Sequence, residues 1–142
     1  MSEIEITLKI ILALVFGGVL GLEREIRKKQ AGLRTYSLVC VAACLLAIIS
    51  LSLAGQYESD PIRVLEAVVT GIGFVGAGVI IFKQDKVEGV TTAAGLLTVS
   101  GIGLAVGFGF YYLASLVVIT TLIIFYIFKK LENKILHRPE ED

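Results

Sequence analysis

Tryptophan is absent from the 142 residues, and histidine occurs once, at His137 in the tail. Histidine-based catalysis inside a folded core is thereby excluded, and an aromatic belt at a membrane interface has to be built from tyrosine. Charge is scarce at 18%, and its formal sum is zero, so no bulk basic field points to nucleic acid. The two cysteines, Cys40 and Cys44, are i,i+4 in one apolar run and share a helix face. A helix does not bring such a pair into bridging geometry. Two thiols without a third ligand also make a poor metal site, so they read as small packing residues. The N-terminal MSEIEITLK lacks the basic segment of a signal peptide. No A-x-A site follows the first apolar run, which is therefore expected to stay as a helix.

What the chain has is oil: 56% hydrophobic residues and a mean hydropathy of +0.85. Five runs, Ile4–Leu22, Tyr36–Ala54, Val64–Phe82, Val90–Gly107 and Phe110–Phe128, are each long enough to cross about 30 Å of hydrocarbon. None alternates with period two, which argues against a barrel. The expected fold is all-α: a polytopic membrane bundle of about five transmembrane helices. Residues 1–128 form the membrane domain and 129–142 a short charged tail. All basic residues except Lys9 and Arg63 fall in the first and third links or after the fifth run. The positive-inside rule then puts the N-terminus out and the C-terminus in. Tyr36 and Tyr126 fall near the inner ends, and Tyr57, Tyr111 and Tyr112 near the outer ones, all at interface depth. A single orientation leaves parallel homo-oligomers open and disfavours antiparallel ones. The uncharged Gly107–Phe108–Gly109 reads as a tight hairpin between spans four and five, with a re-entrant segment as the alternative.

Glycine is concentrated where a soluble helix would avoid it, at a cost of roughly 1 kcal/mol per residue against alanine. In lipid, small residues let helix backbones approach. Small-xxx-small faces occur at Gly17/Gly21 in span one and Ala67/Gly71 and Gly73/Ala77 in span three. Span four carries Gly101/Ala105 and Gly103/Gly107. Spans three and four are expected to pair closely, with Gly71, Gly73, Gly76, Ala77, Gly78, Gly101, Gly103 and Gly107 as packing or interface positions. Span five, glycine-free after Gly109, is placed on the lipid-facing periphery.

Polar residues are few enough to weigh singly. Asp60 reads as a cap for span three, with Pro61 at its first position. Glu66 is the only carboxylate well inside a predicted span, so an ion- or proton-linked role stands beside a structural pairing with Arg63. Lys9 is expected to snorkel to the outer interface. Glu3, Glu5, Glu58, Asp60 and Glu66 form an acidic rim where hydrated Mg²⁺ can dwell weakly, without ligand spacing for a metal site. On the other side Glu23 pairs with Arg27 and Glu25 with Lys29, if the helix continues. The excess basic charge there would attract anionic lipid headgroups. Thr35, and Thr91 or Thr92, are candidate caps. Thr98 and Ser100 are candidates for interhelical hydrogen bonds. No P-loop, nucleophile–base pair or zinc spacing is present, so no enzyme and no cofactor are expected.

The ordered set Gly21-Leu22-Glu23-Arg24-Glu25, Ala31-Gly32-Leu33-Arg34-Thr35, Asp60-Pro61-x-Arg63, Gly71-Ile72-Gly73-Phe74-Val75-Gly76-Ala77-Gly78-Val79-Ile80 and Gly89-Val90-Thr91-Thr92-Ala93-Ala94 resembles the membrane domain of the MgtC/SapB family. The resemblance runs from Gly17 to Gly107. It implies a multi-pass protein of the bacterial inner membrane, linked to magnesium limitation and, in some members, to host survival or restraint of the ATP synthase. Virulence-linked members often carry Asn at the position of Thr91 and Cys at that of Thr98. They append a soluble C-terminal domain, whereas a short tail ending at Asp142 is expected here. The leading expectation is a regulatory protein acting through helix–helix contact with itself or another membrane protein. Glu23, Arg24 and Arg34 would organise its cytoplasmic link and Asp60, Arg63 and Glu66 its outer end, with Thr91 and Thr92 as further polar residues of the family motif. The alternative is an oligomeric magnesium or proton channel or transporter, with Glu66 on the path.

Overall fold

Helix α2 (Leu33–Tyr57) packs on two neighbours with little side chain separating them from it. In this computed structural model, α1 (Glu3–Ile26) and α4 (Val90–Phe108) both lie against α2. Helix α3 (Ile62–Val79) leans mainly on α4, and α5 (Tyr111–Ile123) on α4 and α1. The described residues are 1–57, 60–83, 86–128, 130–131 and 135, without the side chains of 55–57 and 83. Glu58, Lys129, Lys134, His137, Arg138 and the ring of Tyr57 lie outside them. Among the described residues, five helices are long and apolar enough to cross a membrane. Their outward faces carry Ile4, Leu8, Ile11, Phe74 and Ile119, all exposed, as a lipid-facing surface requires.

The seam on α2 is built from Tyr36, Cys40, Ala43, Cys44 and Ala47, all buried. A Cβ on Gly17 of α1 would stand 2.7 Å from the Cys40 Cβ and 2.8 Å from the Tyr36 carbonyl oxygen. One on Gly103 of α4 would collide with the Cys40 carbonyl, and one on Gly107 would come within 2.5 Å of the Ala47 Cβ. Three backbones thus converge at Cys40, which fills the space with a short thiol. Both cysteines are free and buried.

This arrangement corrects the expected close pairing of spans three and four. Gly71, Gly73 and Gly78 of α3, and Gly101 of α4, have nothing within 4 Å of a built Cβ. Only Gly76 meets α4, where Ala93 Cβ lies at 3.5 Å. The glycine faces of α1 and α4 are matched instead to the cysteine–alanine seam of α2, which contains no glycine pair of its own.

Span three also ends earlier than Phe82. The β-branched Val79-Ile80-Ile81 leaves the helix, with Ile80 at φ −85° and ψ 116°. A short antiparallel hairpin follows, β1 (Ile81–Lys83) with β2 (Lys86–Glu88). Gly89, at φ 91°, then starts α4, and a side chain there would strike the Val79 carbonyl. α4 runs unbroken for 19 residues, which favours the hairpin over the re-entrant alternative. Gly109, at φ 90°, closes it with Phe110 N–H on the Ala105 carbonyl (2.8 Å) and Gly109 N–H on that of Val106 (3.1 Å). α5 continues into a π-helical turn, Ile124–Phe128. Apart from Ala114, Val118, Thr121 and Phe125, this last helix is largely uncovered, in keeping with its peripheral placement.

Adding bulk to the seam should cost about 1–3 kcal/mol, the usual penalty of overpacking. Gly103→Val is expected to lower unfolding stability in detergent micelles, whereas Gly71→Val, where space is open, should leave the single chain's stability within about 1 kcal/mol of the parent.

Candidate functional site

The charged side chains gather at the two ends of the bundle. At the basic end α1 stops at Ile26 in a C-terminal motif that places Lys28 at φ 50°. Lys29 N–H reaches the Arg24 carbonyl and Lys28 N–H that of Glu25, both at 3.0 Å. Because the helix ends there, Glu25 is turned to another task. Its Oε2 accepts the Leu33 N–H at 3.1 Å, so Glu25 rather than Thr35 caps α2. Glu23 Oε1 lies 2.5 Å from Arg27 Nε, the expected i,i+4 pair. Its Oε2 takes Arg24 Nε at 2.5 Å.

Arg24 is buried, with its guanidinium 3.7 Å from the centroid of the Phe125 ring. The π-helical turn brings Phe125 to this spot from the far end of the sequence. A charge stacked on an aromatic face in a poorly solvated place is worth about 2 kcal/mol. Arg27 lies over Tyr126 at 5.5 Å. Neither threonine of α4 caps its helix, since the capping position is Gly89 and no side chain serves it. Thr92 instead donates to Gln30 Oε1 at 3.0 Å, tying the α1–α2 link to α4. Thr91 and Arg34 are exposed. Tyr36 is not an interfacial ring: it is fully buried, its hydroxyl 3.5 Å from the Thr92 carbonyl and packed on Gly95.

At the opposite end, Lys9 corrects the snorkelling expectation. Its side chain is 5% exposed. The ammonium donates to the Gly107 carbonyl at 3.1 Å, lies 3.2 Å from Glu5 Oε1 and touches Met1 Sδ at 3.3 Å. Gly107 occupies the last turn of α4, whose carbonyls lack intrahelical partners and carry the negative end of the helix dipole. Lys9 therefore ties α1 to α4 by answering that charge. The sequence held one signal for it, Glu5 four residues before Lys9.

Asp60 Oδ1 accepts the Ile62 N–H at 2.9 Å and so serves the start of α3, with Pro61 in the capping position. Arg63 and Glu66 are exposed on α3, and no ion pair joins them among the described residues. Thr98 and Ser100 bond within their own helix, to the carbonyls of Ala94 (2.9 Å) and Leu97 (2.7 Å), instead of across helices. Among the described residues no group of three metal-ligating side chains is assembled. The geometry brings Glu23, Arg24, Arg27, Gln30, Thr92 and Phe125 together. Asp60, Arg63 and Glu66 stay apart from them at the other end.

Five helices long and apolar enough to cross a membrane define a multi-pass α-helical membrane protein. The family model of the MgtC family matches residues 10–134, and the chain belongs to that family. It is 41% identical over 123 residues to an uncharacterised protein of Haemophilus influenzae, covering 81% of this chain and 52% of that one. It is 40% identical over 114 residues to "Protein SapB" of Bacillus subtilis, covering 75% and 49%. It is 36% identical over 141 residues to "Putative magnesium transporter YhiD" of Escherichia coli K12, covering 94% and 65%. The chain thus spans about half to two thirds of the length of these relatives. No solved structure matches it.

Lys9→Met removes the side chain that, among the described residues, answers the Gly107 carbonyl, and leaves Glu5 to solvent. A hydrogen bond from a charged group is worth about 1.5–3 kcal/mol. Thermal unfolding in detergent is expected to show a loss of that order, and Lys9→Arg, which keeps the charge, should recover part of it.

Proposed function

We propose that the protein is a regulatory component of the bacterial inner membrane, tied to magnesium limitation or membrane energetics, that works without catalysis by helix–helix contact. The observation that carries this reading is the unoccupied face of α3. Gly71, Gly73 and Gly78 have open space around them while the glycines of α1 and α4 on the α2 seam are filled. Ala67 and Ala77 are exposed on the same helix, and Phe74 is 87% exposed. A helix of this kind gains little by facing lipid tails and much by meeting another backbone closely. The occupant is a second copy of this chain or another membrane protein. Magnesium enters through the name of the Escherichia coli relative, and the inner membrane through the family resemblance.

A second reading, an oligomeric magnesium or proton path, draws on Glu66. It is exposed one to two turns into α3, four residues before Thr70 and seven before Gly73. Several copies would be needed to enclose such a path, and any Mg²⁺ on the acidic rim would be held weakly.

Gly71→Leu and Gly78→Leu test the first reading. Each is expected to leave the single chain folded while abolishing crosslinked complexes in native membranes and altering growth in low magnesium. Unchanged complexes together with unchanged growth would overturn it. Purified protein in liposomes separates the second: magnesium or proton flux lost in Glu66→Gln would favour transport, and no flux with the parent protein would favour regulation.

A further inference from the structure

The basic end holds a cavity of about 790 Å³ that the α3 reading does not use. α1 supplies Arg24 and the α1–α2 link Lys28 and Lys29 to its wall, the start of α4 supplies Thr91 and Thr92, and Glu88 of the hairpin is the one acidic lining residue among the described residues. Gln30 adds an amide, and the apolar part of the wall includes Ile81 and Val87 from the hairpin and Phe125 and Phe128 from the π-helical turn. We propose that this cavity binds a phosphate-bearing anion.

Three independent features converge on that chemistry. First, Arg24 is buried at 3% exposure and lines the cavity, yet among the described residues only Glu23 accepts from its guanidinium, and only through Nε. A guanidinium carries further N–H donors beyond Nε, set in a planar fork. Stacking on Phe125 at 3.7 Å holds its plane in place. Second, α4 begins without a side-chain cap. Its first helical bond is Ala93 N–H to the Gly89 carbonyl, so the peptide N–H groups of residues 90–92 have no carbonyl of their own helix to meet, and these residues line the cavity. A 19-residue helix presents the positive end of its dipole there. Third, Lys28 is exposed at the rim in the left-handed conformation that ends α1, where glycine would be the easier residue. The lysine adds a positive charge at a place the fold alone would give to glycine.

Arginine suits a phosphate because its planar donors match paired oxygens. The apolar half of the wall fits the first carbons of an acyl chain, and the polar half fits a headgroup or a soluble phosphate. The phosphate is the shared element, and it comes either from an anionic phospholipid or from a free compound.

Native mass spectrometry of the purified full chain tests this with three probes: phosphatidylglycerol, phosphatidylcholine and inorganic pyrophosphate. Retention of one phosphatidylglycerol per chain, well above phosphatidylcholine, assigns the site to a lipid headgroup. Retention of pyrophosphate assigns it to a soluble phosphate. Either should weaken about fivefold in Lys28→Asn, which keeps the left-handed turn accessible while removing one basic charge. Thr91→Asp should weaken it further, because the new carboxylate occupies the α4 start. Aspartate also suits a helix N-terminus, so thermal unfolding of Thr91→Asp should match or exceed the parent's. The proposal is overturned if neither phosphatidylglycerol nor pyrophosphate is retained above phosphatidylcholine, or if both variants bind as the parent does.

Discussion

Close approach of three backbones around Cys40 is the constraint from which the rest of this structure follows. Lipid tails are as apolar as leucine, so the hydrophobic effect does not hold these helices together once they are inserted. Cohesion has to come from dense van der Waals contact, and that needs surfaces without bulk. Gly17 and Gly21 on α1, and Gly103 and Gly107 on α4, supply them against the short side chains of α2. The polar ties at each end are secondary to this seam. Lys9 meets the α4 carbonyls, and Thr92 meets Gln30, because the seam has already brought those ends together.

From the seam outward the helices become less committed. α4 is the most enclosed span and α3 the least, with 56% and 11% of their apolar windows buried. That gradient separates two kinds of glycine that look alike in composition. Those on α1 and α4 facing α2 are consumed in making one subunit. Those on α3 are left over, and the proposed contact with a second chain draws on that remainder. The basic end has a similar surplus, in donors instead of space: among the described residues no side chain caps the start of α4.

The number of spans was legible because an unbroken run of about twenty apolar residues suits a membrane-crossing helix and little else. The Gly17/Gly21 and Gly103/Gly107 faces were legible as packing faces, as was the Glu23–Arg27 pair. Their partner was not. The α2 seam, Cys40-x-x-Ala43-Cys44-x-x-Ala47, is written in residues that are ordinary anywhere in an apolar run. Only its three-and-four spacing of small side chains marks it. Lys9 and Arg24 were misjudged or underweighted for a different reason. Their partners, the Gly107 carbonyl and the Phe125 ring, lie about a hundred residues away, and no local pattern reports such a meeting. The early end of α3 was missed because Val79-Ile80-Ile81-Phe82 reads equally well as buried helix or as strand.

The central claim, that the cysteine face of α2 is where α1 and α4 meet it, can be measured in bilayers. With only two cysteines in the chain, ¹³C-labelled cysteine and glycine give a sparse solid-state NMR correlation spectrum. The account predicts cross-peaks from Cys40 to Gly17 and Gly103 and from Cys44 to Gly107, with none to Gly71, Gly73 or Gly78. Cross-peaks from either cysteine to the α3 glycines, or none to α1 and α4, would contradict it.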